Sequence, residues 1–244
     1  MRGVFAGPNR PVARPLLPSA ARPLAVAIVV ACVLVTALLG AWFWHETRTD
    51  WVDAVVGARL QAGLGGHPHL LAVMAWPGAP VPVTAIAVTL ALVCAWRRRY
   101  RAAAFVVVSV ALAAVITERL LKPLIDRTFW STLAFPSGHV TGAFAMATVV
   151  TVLLAAASGR VPRALRLALA VTAFLIAAAV AIAVVGAGLH YFTDTIAGAA
   201  VGTGTVLLTA LALDALSSSP PDGQHAVDED RSMADSRSRA GDAR

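Results

Sequence analysis

Long apolar stretches separated by short polar ones form the main pattern of this chain. The first, residues 24–43, is uninterrupted and has about the 20 residues that a helix needs to cross the hydrocarbon core of a bilayer. Five more follow, over about 70–96, 102–121, 140–157, 164–185 and 192–213. The pattern therefore predicts an all-α fold, a polytopic membrane protein built as a bundle of six transmembrane helices.

Two regions of the pattern are less regular. Prolines interrupt the second stretch between positions 77 and 82, so either a short interfacial turn precedes a helix from about Val81, or one span is kinked. Residues 44–66 alternate charged side chains, among them Asp53, with apolar ones at helical spacing. With the tryptophans around it, this segment is typical of an amphipathic helix at the membrane interface.

Composition agrees with the membrane interpretation. Hydrophobic residues make up 58% of the chain and charged residues only 14%, whereas soluble domains carry about 25% charged residues. Both cysteines, Cys32 and Cys94, lie within apolar stretches, which argues against a disulfide framework or a cysteine-based metal site. The net charge of +7 comes from arginines between the apolar stretches, so membrane orientation explains it and we expect no nucleic-acid partner.

The two ends of the chain differ from its middle. Residues 1–23 are rich in Pro and Arg and residues 215–244 are polar, so both are predicted to be disordered cytoplasmic tails around one membrane domain, 24–214. Residues 24–43 are too long for a signal-peptide core and are expected to be retained. Two connecting loops then satisfy the positive-inside rule with Arg97, Arg98, Arg99, Arg101, Arg160, Arg163 and Arg166. We expect a multi-pass protein of the cell membrane.

Three polar islands interrupt the apolar sequence, and this topology brings all of them to the extracytoplasmic face. They are residues 122–127, 135–139 and 190–194. The second contains Pro136-Ser137-Gly138-His139 at the start of a predicted helix. Unpaired backbone N–H groups, a hydroxyl and a proton donor at such a position form a seat for a phosphate group.

The other two islands supply complementary chemistry. His190 and Asp194 are four residues apart and share one face if the sixth helix begins near Tyr191. The carboxylate can then fix one imidazole nitrogen and leave the other free to attack, with His139 as a second histidine across the site. The cationic side chains that would hold the nonbridging phosphate oxygens are Lys122 and Arg127. Phosphoryl transfer through a phosphohistidine requires such a set.

At these residues the chain resembles the type 2 phosphatidic acid phosphatase superfamily of membrane lipid phosphatases. That family has three motifs: Lys with Arg seven residues later, Pro-Ser-Gly-His, and Ser-Arg followed by His and then by Asp four residues on. Residues 136–139 match the second motif, and 190–194 match the latter half of the third. The resemblance implies that His190 is the nucleophile, Asp194 its partner and His139 the acid that protonates the leaving alkoxide. It also implies a reaction without metal or cofactor.

Two positions depart from the family motifs. Phe129 stands seven residues after Lys122, and Val184 stands where the third motif has its arginine. Two phosphate ligands are therefore absent from their usual places. We expect Arg127 to replace one, and Arg119 is the candidate for the other. Each lost charged hydrogen bond is worth about 1.5–3 kcal/mol, so their absence would lower the rate or change the substrate.

Structural interpretations of the same residues remain open. A helix cap, an i,i+4 pair and headgroup anchors are the alternatives for, respectively, Ser137 with Gly138, His190 with Asp194, and Lys122 with Arg127. The two histidines and the aspartate are also possible metal ligands, although no further His or Cys lies nearby.

The sequence therefore predicts an integral membrane phosphatase that hydrolyses a lipid-linked phosphate monoester or diphosphate at the extracytoplasmic face. Its expected partners are the lipid-phosphate substrate, such as a prenyl diphosphate, phosphatidylglycerol phosphate or phosphatidic acid, and the bilayer. The alternative is a catalytically silent relative that binds a phospholipid or prenyl phosphate, which the two absent arginines favour. A phosphotransferase with the same residues is not distinguished from a hydrolase, and the oligomeric state stays open.

Overall fold

The chain is a bundle of helices. The computed structural model describes residues 15–157, 159 and 161–218. Its helices are α1 (Arg22–Trp42), α2 (Trp51–Leu64), α3 (Pro68–Ala75), α4 (Pro80–Trp96), α5 (Tyr100–Val115), α6 (Lys122–Ile125), α7 (Gly138–Ala156), α8 (Arg163–Gly186) and α9 (Phe192–Ser218). The predicted all-α class is confirmed; the described strands are one two-stranded hairpin, β1 (Thr128–Phe129) with β2 (Thr132–Leu133).

Six helical stretches of the described chain are long and apolar enough to span a membrane. They are Ser19–Trp42, Pro68–Trp96, Tyr100–Ile125, Gly138–Ala156, Arg163–Gly186 and Phe192–Ser217. They correspond one to one with the six spans predicted from the sequence, so the six-span bundle is confirmed.

The second span is interrupted where its prolines lie, and α4 begins at Pro80, close to the helix start predicted at about Val81. α3 ends in a 3-10 turn, Trp76–Gly78, and Ala79, whose backbone is extended (φ −66°, ψ 152°), separates this turn from α4. Proline has no N–H to continue the helical hydrogen-bond ladder, so the interruption falls in the proline-rich segment. Gly78 lets this turn approach α7, because a Cβ there would lie 2.5 Å from the carbonyl oxygen of His139 and 2.6 Å from Cγ1 of Val180.

The third span ends in an unusual turn. α5 continues into a π-helical segment, Ile116–Leu121, and then into α6. Such wide turns often accompany functional sites, because they redirect side chains relative to a regular helix. The short β hairpin then leads the chain to α7.

Two spans form the centre of the bundle. About half of α7 and of α9 is buried, 50% and 56%, against 11% for the first span. Small residues allow this contact, since Gly198 and Gly202 in α9 form the GxxxG spacing that permits close helix approach. A Cβ on Gly202 would meet the carbonyl oxygen of Thr141 and would lie 2.9 Å from the backbone nitrogen of Ala145.

We expect Gly202→Ala to destabilise the protein, because the added methyl forces the α7 and α9 backbones apart. Overpacking of this kind costs about 1–3 kcal/mol. The measurement is thermal unfolding of the purified protein in detergent. Gly63→Ala in α2 is the matched control, because a Cβ there meets no atom within 4 Å and alanine favours helix. Equal unfolding temperatures for the Gly202 variant and wild type would contradict the close approach.

Asp214 of α9 connects the amino-terminal segment and α5 to α9, at the end of the bundle opposite the three islands. Its carboxylate accepts hydrogen bonds from the backbone N–H groups of Leu16 and Leu17 and from Nη2 of Arg101 at 2.6 Å. Both leucines are buried, and a 3-10 turn begins at Ser19. The predicted disordered tail 1–23 is therefore corrected for residues 15–23, while residues 1–14 lie outside the described chain.

The predicted boundary at the other terminus also shifts. α9 continues to Ser218, four residues past the predicted end of the membrane domain at 214. Residues 219–244 of the predicted second tail lie outside the described residues.

Candidate active site

The three polar islands meet at one cavity. Its volume is about 570 Å³, and its wall is formed mainly by α4, α5 with the π-helical segment, and α7. The polar side chains at its wall include Glu118, Lys122, His139 and His190, and Gly138 lies beside them. Residues that are widely separated in the sequence are therefore neighbours here, because the loops that carry them lie at the same end of the bundle.

The first turn of α7 presents free backbone donors. In the described chain no acceptor pairs with the N–H groups of Gly138, His139 and Val140, as is usual for the first turn of a helix. These groups and the helix dipole favour an anion at this end of α7. Gly138 also admits Glu118 closely, since a Cβ there would lie 2.6 Å from Oε1 of Glu118.

Ser137 does not take the place expected for a phosphate ligand. Ser137 is fully buried and does not line the cavity. Its N–H donates to the backbone oxygen of Asp194 at 3.0 Å, and its carbonyl accepts from the backbone N–H and the hydroxyl of Thr141, both at 2.9 Å. The Ser137 hydroxyl caps no helix and has no described hydrogen-bond partner. We therefore correct its role: the backbone of Ser137 joins α7 to the start of α9.

His190 and Asp194 are close together, but not on one helix face as expected. α9 begins at Phe192, so His190 precedes the helix and Asp194 lies in its first turn. Oδ2 of Asp194 accepts the N–H of Tyr191 at 3.1 Å, which resembles half of a capping box and folds the chain back toward His190.

The imidazole of His190 faces the Asp194 carboxylate without a formed hydrogen bond. Nδ1 of His190 lies 3.7 Å from Oδ2 of Asp194, beyond hydrogen-bonding distance. This nitrogen is buried and has no other described partner, while the side chain as a whole is 13% exposed. Catalytic hydrogen bonds are often long in the absence of substrate, so Asp194 is the available acceptor for Nδ1.

Arg127 is the centre of a buried ionic cluster. Its side chain has no exposed surface. Nη1 donates to Oδ1 of Asp194 at 2.6 Å and to Oγ1 of Thr193 at 2.7 Å, and Nη2 donates to Oδ2 of Asp53 at 2.6 Å. Asp53 in turn accepts the N–H of Thr193 at 2.9 Å. These four side chains join α2, the loop after α6, and α9.

Two aromatic rings enclose the Arg127 guanidinium. Its central carbon lies 3.6 Å from the ring centroid of Phe43 and 4.2 Å from that of Tyr191. Cation–π contacts and two carboxylates therefore satisfy the charge inside the protein. We therefore correct both interpretations of Arg127, as a phosphate ligand and as an anchor at the lipid headgroups. Its side chain has no exposed surface and can contact neither a phosphate nor a headgroup.

The sequence did not identify Asp53 as a partner of Arg127 beside the site. The sequence pattern puts it on the polar face of an interfacial helix, yet its side chain is fully buried. α2 does begin as a regular capped helix, because the Asp50 carboxylate accepts the N–H of Val52 at 3.0 Å. The periodicity of α2 alone contains no signal that its next acidic residue turns inward toward Arg127.

Lys122 lines the cavity, as expected for a phosphate ligand. Its Nζ donates to Oε2 of Glu118 at 2.8 Å. Arg119 is exposed and is not part of the cavity wall. The residues at the positions of the two absent motif arginines pack inside the protein. Val184 is fully buried, and the ring of Phe129 lies edge-on to that of Tyr191, with 4.6 Å between the ring centroids.

The alternative of a metal site needs several His, Cys, Asp or Glu side chains close together. Within residues 15–157, 159 and 161–218, no group of three or more His, Cys, Asp or Glu side chains is arranged to hold a metal ion.

Comparisons with known proteins agree with this architecture. A family model described as PAP2 superfamily matches residues 120–217, which include all three islands. A solved structure with a similar fold is the first transmembrane PAP2 type phosphatidylglycerolphosphate phosphatase from Bacillus subtilis. It is 19% identical, with a TM-score of 0.62, and the match covers 74% of this chain and 93% of that one. Among curated proteins, none matches the chain.

Proposed function

We propose that this chain, which resembles the PAP2 superfamily over residues 120–217, is an integral membrane phosphatase that hydrolyses a lipid-linked phosphate monoester or diphosphate. The observation that carries the proposal is the single cavity shared by Lys122, His139 and His190, which come from the three separate islands. One cation and two histidines around one space are the minimum for phosphoryl transfer through a histidine.

The proposed reaction has two steps. In the first, Nε2 of His190 attacks phosphorus, a P–N bond forms, the P–O bond to the lipid breaks, and His139 gives a proton to the leaving oxygen. In the second, water attacks phosphorus and gives a proton to His139, the P–N bond breaks, and phosphate and free His190 are released. Asp194 would accept a hydrogen bond from Nδ1–H of His190 and, still ionised, stabilise the imidazolium that develops.

The phosphate would be held by fewer charges than the family motifs provide. Lys122 is the cationic side chain among the described residues of the cavity wall, and the free N–H groups of Gly138, His139 and Val140 are the other donors. Backbone donors at a helix start stabilise charge that develops in the transition state. They would have to replace much of what the two absent arginines supply in the family.

The apolar part of the cavity supports a lipid as the substrate. Away from the histidines, the wall consists of small and branched apolar side chains such as Val83, Val110, Ala113 and Ala145. An acyl or prenyl chain would fit against such a surface, and the burial of each methylene group is worth about 0.8 kcal/mol. We place this site at the extracytoplasmic face and both termini in the cytoplasm, because the arginine-rich loops then follow the positive-inside rule.

The experiment is phosphate release by the purified protein in detergent, from prenyl diphosphates, prenyl monophosphates and phosphatidyl phosphates. We expect release from at least one of these lipids, and the same rate with and without EDTA, because the proposed chemistry uses side chains alone. A rate that EDTA abolishes and one divalent cation restores would contradict the metal-free mechanism. No release from any lipid by folded protein would contradict the hydrolase.

A catalytically silent lipid-binding protein is the second candidate. The observation that favours it is specific: Phe129 and Val184 occupy the motif arginine positions as packing residues, and Arg127 is held by Asp53 and Asp194. Such a protein would bind the same lipids without phosphate release, so lipid binding measured beside turnover separates the two functions.

A further inference from the structure

Glu118 pairs with the cation that is expected to bind the phosphate in the cavity. Its Oε2 lies 2.8 Å from Nζ of Lys122, and its Oε1 would lie 2.6 Å from a Cβ on Gly138. The carboxylate therefore accepts a hydrogen bond from the Lys122 ammonium and lies beside Gly138 in the first turn of α7, without pairing with the N–H groups there. A carboxylate has the charge sign and the paired oxygens that such a cradle also selects in a phosphate.

The pairing of Glu118 with Lys122 leaves the described cavity wall without an unpaired full positive charge. Among the described residues of the wall, Lys122 and Glu118 are the side chains with full charges, and they neutralise each other. With Phe129 and Val184 in place of the motif arginines, no further cation at those positions can hold a phosphate while Lys122 stays with Glu118. The Glu118 side chain also has space into which it can turn away from Lys122, since it is 48% exposed.

We propose that Glu118 is an internal competitor of phosphate: its carboxylate occupies the Lys122 side of the phosphate cradle and must leave Lys122 before a substrate phosphate binds. This inference rests on the proposed function and adds a specificity determinant to it. Substrates whose apolar chain binds along the cavity gain the free energy to displace Glu118, whereas soluble phosphate esters and inorganic phosphate do not. Binding energy from a remote part of the substrate is then used at the reacting centre.

The same contact would also help the product to leave. Inorganic phosphate has no chain to hold it once the lipid alkoxide has departed. Glu118 returns to Lys122 and displaces the phosphate, so the cavity does not stay blocked by product. The site would therefore discriminate against free phosphate although it is built to bind a phosphate group.

The test is the affinity of the purified full-length protein for inorganic phosphate, measured directly by titration calorimetry in detergent. Glu118→Gln keeps the size of the side chain and removes its charge. We expect it to bind phosphate about tenfold more tightly than wild type, because Lys122 becomes available for a charged hydrogen bond. Glu118→Asp, which keeps the charge, should remain close to wild type.

Glu46→Gln is the matched control, because Glu46 lies in the loop after α1 and outside the cavity wall. Its phosphate affinity should equal that of wild type. A second readout is the ratio of kcat/KM for a prenyl phosphate to that for p-nitrophenyl phosphate, which Glu118→Gln should lower. Equal or weaker phosphate binding by Glu118→Gln, including no binding by either protein, would overturn the competitor role.

Binding without turnover keeps this inference separate from the proposed function. If no lipid is hydrolysed but Glu118→Gln tightens phosphate binding, the internal competitor stands and the hydrolase falls. If lipids are hydrolysed and the variant leaves the phosphate affinity unchanged, the hydrolase stands and Glu118 is a structural partner of Lys122.

Discussion

His190→Ala is expected to lower turnover by at least about 1,000-fold, because it removes the atom that is proposed to form the bond to phosphorus. Without Nε2 of His190, water would have to attack the lipid phosphate directly. The other side chains of the site would still bind the substrate, so the lipid affinity should change much less than kcat. Phosphate release and lipid binding measured on the same preparation check both expectations.

The His190 variant must also be shown to fold. His190 lies in the loop before α9 and is partly exposed, so its truncation should leave the thermal unfolding temperature close to wild type. His69→Ala is the matched control, since His69 is exposed in α3 and lies outside the cavity wall. It should keep full activity. A folded His190→Ala protein with a substantial part of wild-type turnover would remove His190 from the nucleophile role.

Arg127→Ala is expected to destabilise the folded protein by about 3–5 kcal/mol, because the carboxylates of Asp53 and Asp194 would be left buried without a cation. The gap between the Phe43 and Tyr191 rings would add the cost of a cavity. Yield of detergent-soluble protein and thermal unfolding measure the effect. If Arg127 were a phosphate ligand at the cavity surface, the same substitution would change KM and leave stability nearly unaffected.

Two further variants identify the cause of that loss. Asp53→Asn combined with Arg127→Ala should recover part of the stability, because one of the two unpaired buried charges is removed together with its partner. Arg59→Ala is the matched control on α2, where an exposed arginine should change stability by less than about 0.5 kcal/mol. An Arg127→Ala protein as stable as wild type would contradict the buried ionic cluster.

The overall fold was predictable because its determinants are local. Six apolar stretches of membrane-spanning length determine the helices, and the arginine-rich segments between them mark where the helices end. That topology places the loops carrying Lys122, His139 and His190 at the same end of the bundle, so their convergence followed from the sequence. The interruption of the second span was predicted from its prolines, but a pattern of prolines does not show whether the helix resumes in the same direction.

The environment of Arg127 could not be predicted, because it depends on a partner far away in the chain. Asp53 is 74 residues away in sequence and belongs to a helix that no motif marks. An arginine five residues after Lys122 looks like a displaced motif ligand when only spacing is considered. Its location inside the protein follows from the packing of α2 against α9 and from the two rings around the guanidinium.

The relation of His190 to Asp194 was predicted for the wrong reason. The spacing of four residues indicates one helix face, yet the helix begins only at Phe192. The two side chains meet because Asp194 accepts the N–H of Tyr191 and the chain folds back at the start of α9. Helix starts are set by such capping interactions, which the spacing of polar residues does not specify.

The most direct test of the central claim is to trap the phosphoryl group on the protein. The purified protein is mixed with a lipid phosphate labelled with ³²P, quenched in alkali within a turnover, digested and mapped by mass spectrometry. The proposed mechanism predicts a label that survives alkali, is lost in acid, and lies on His190. A label on another residue, or active protein that never becomes labelled and transfers phosphate directly to water, would contradict the phosphohistidine mechanism.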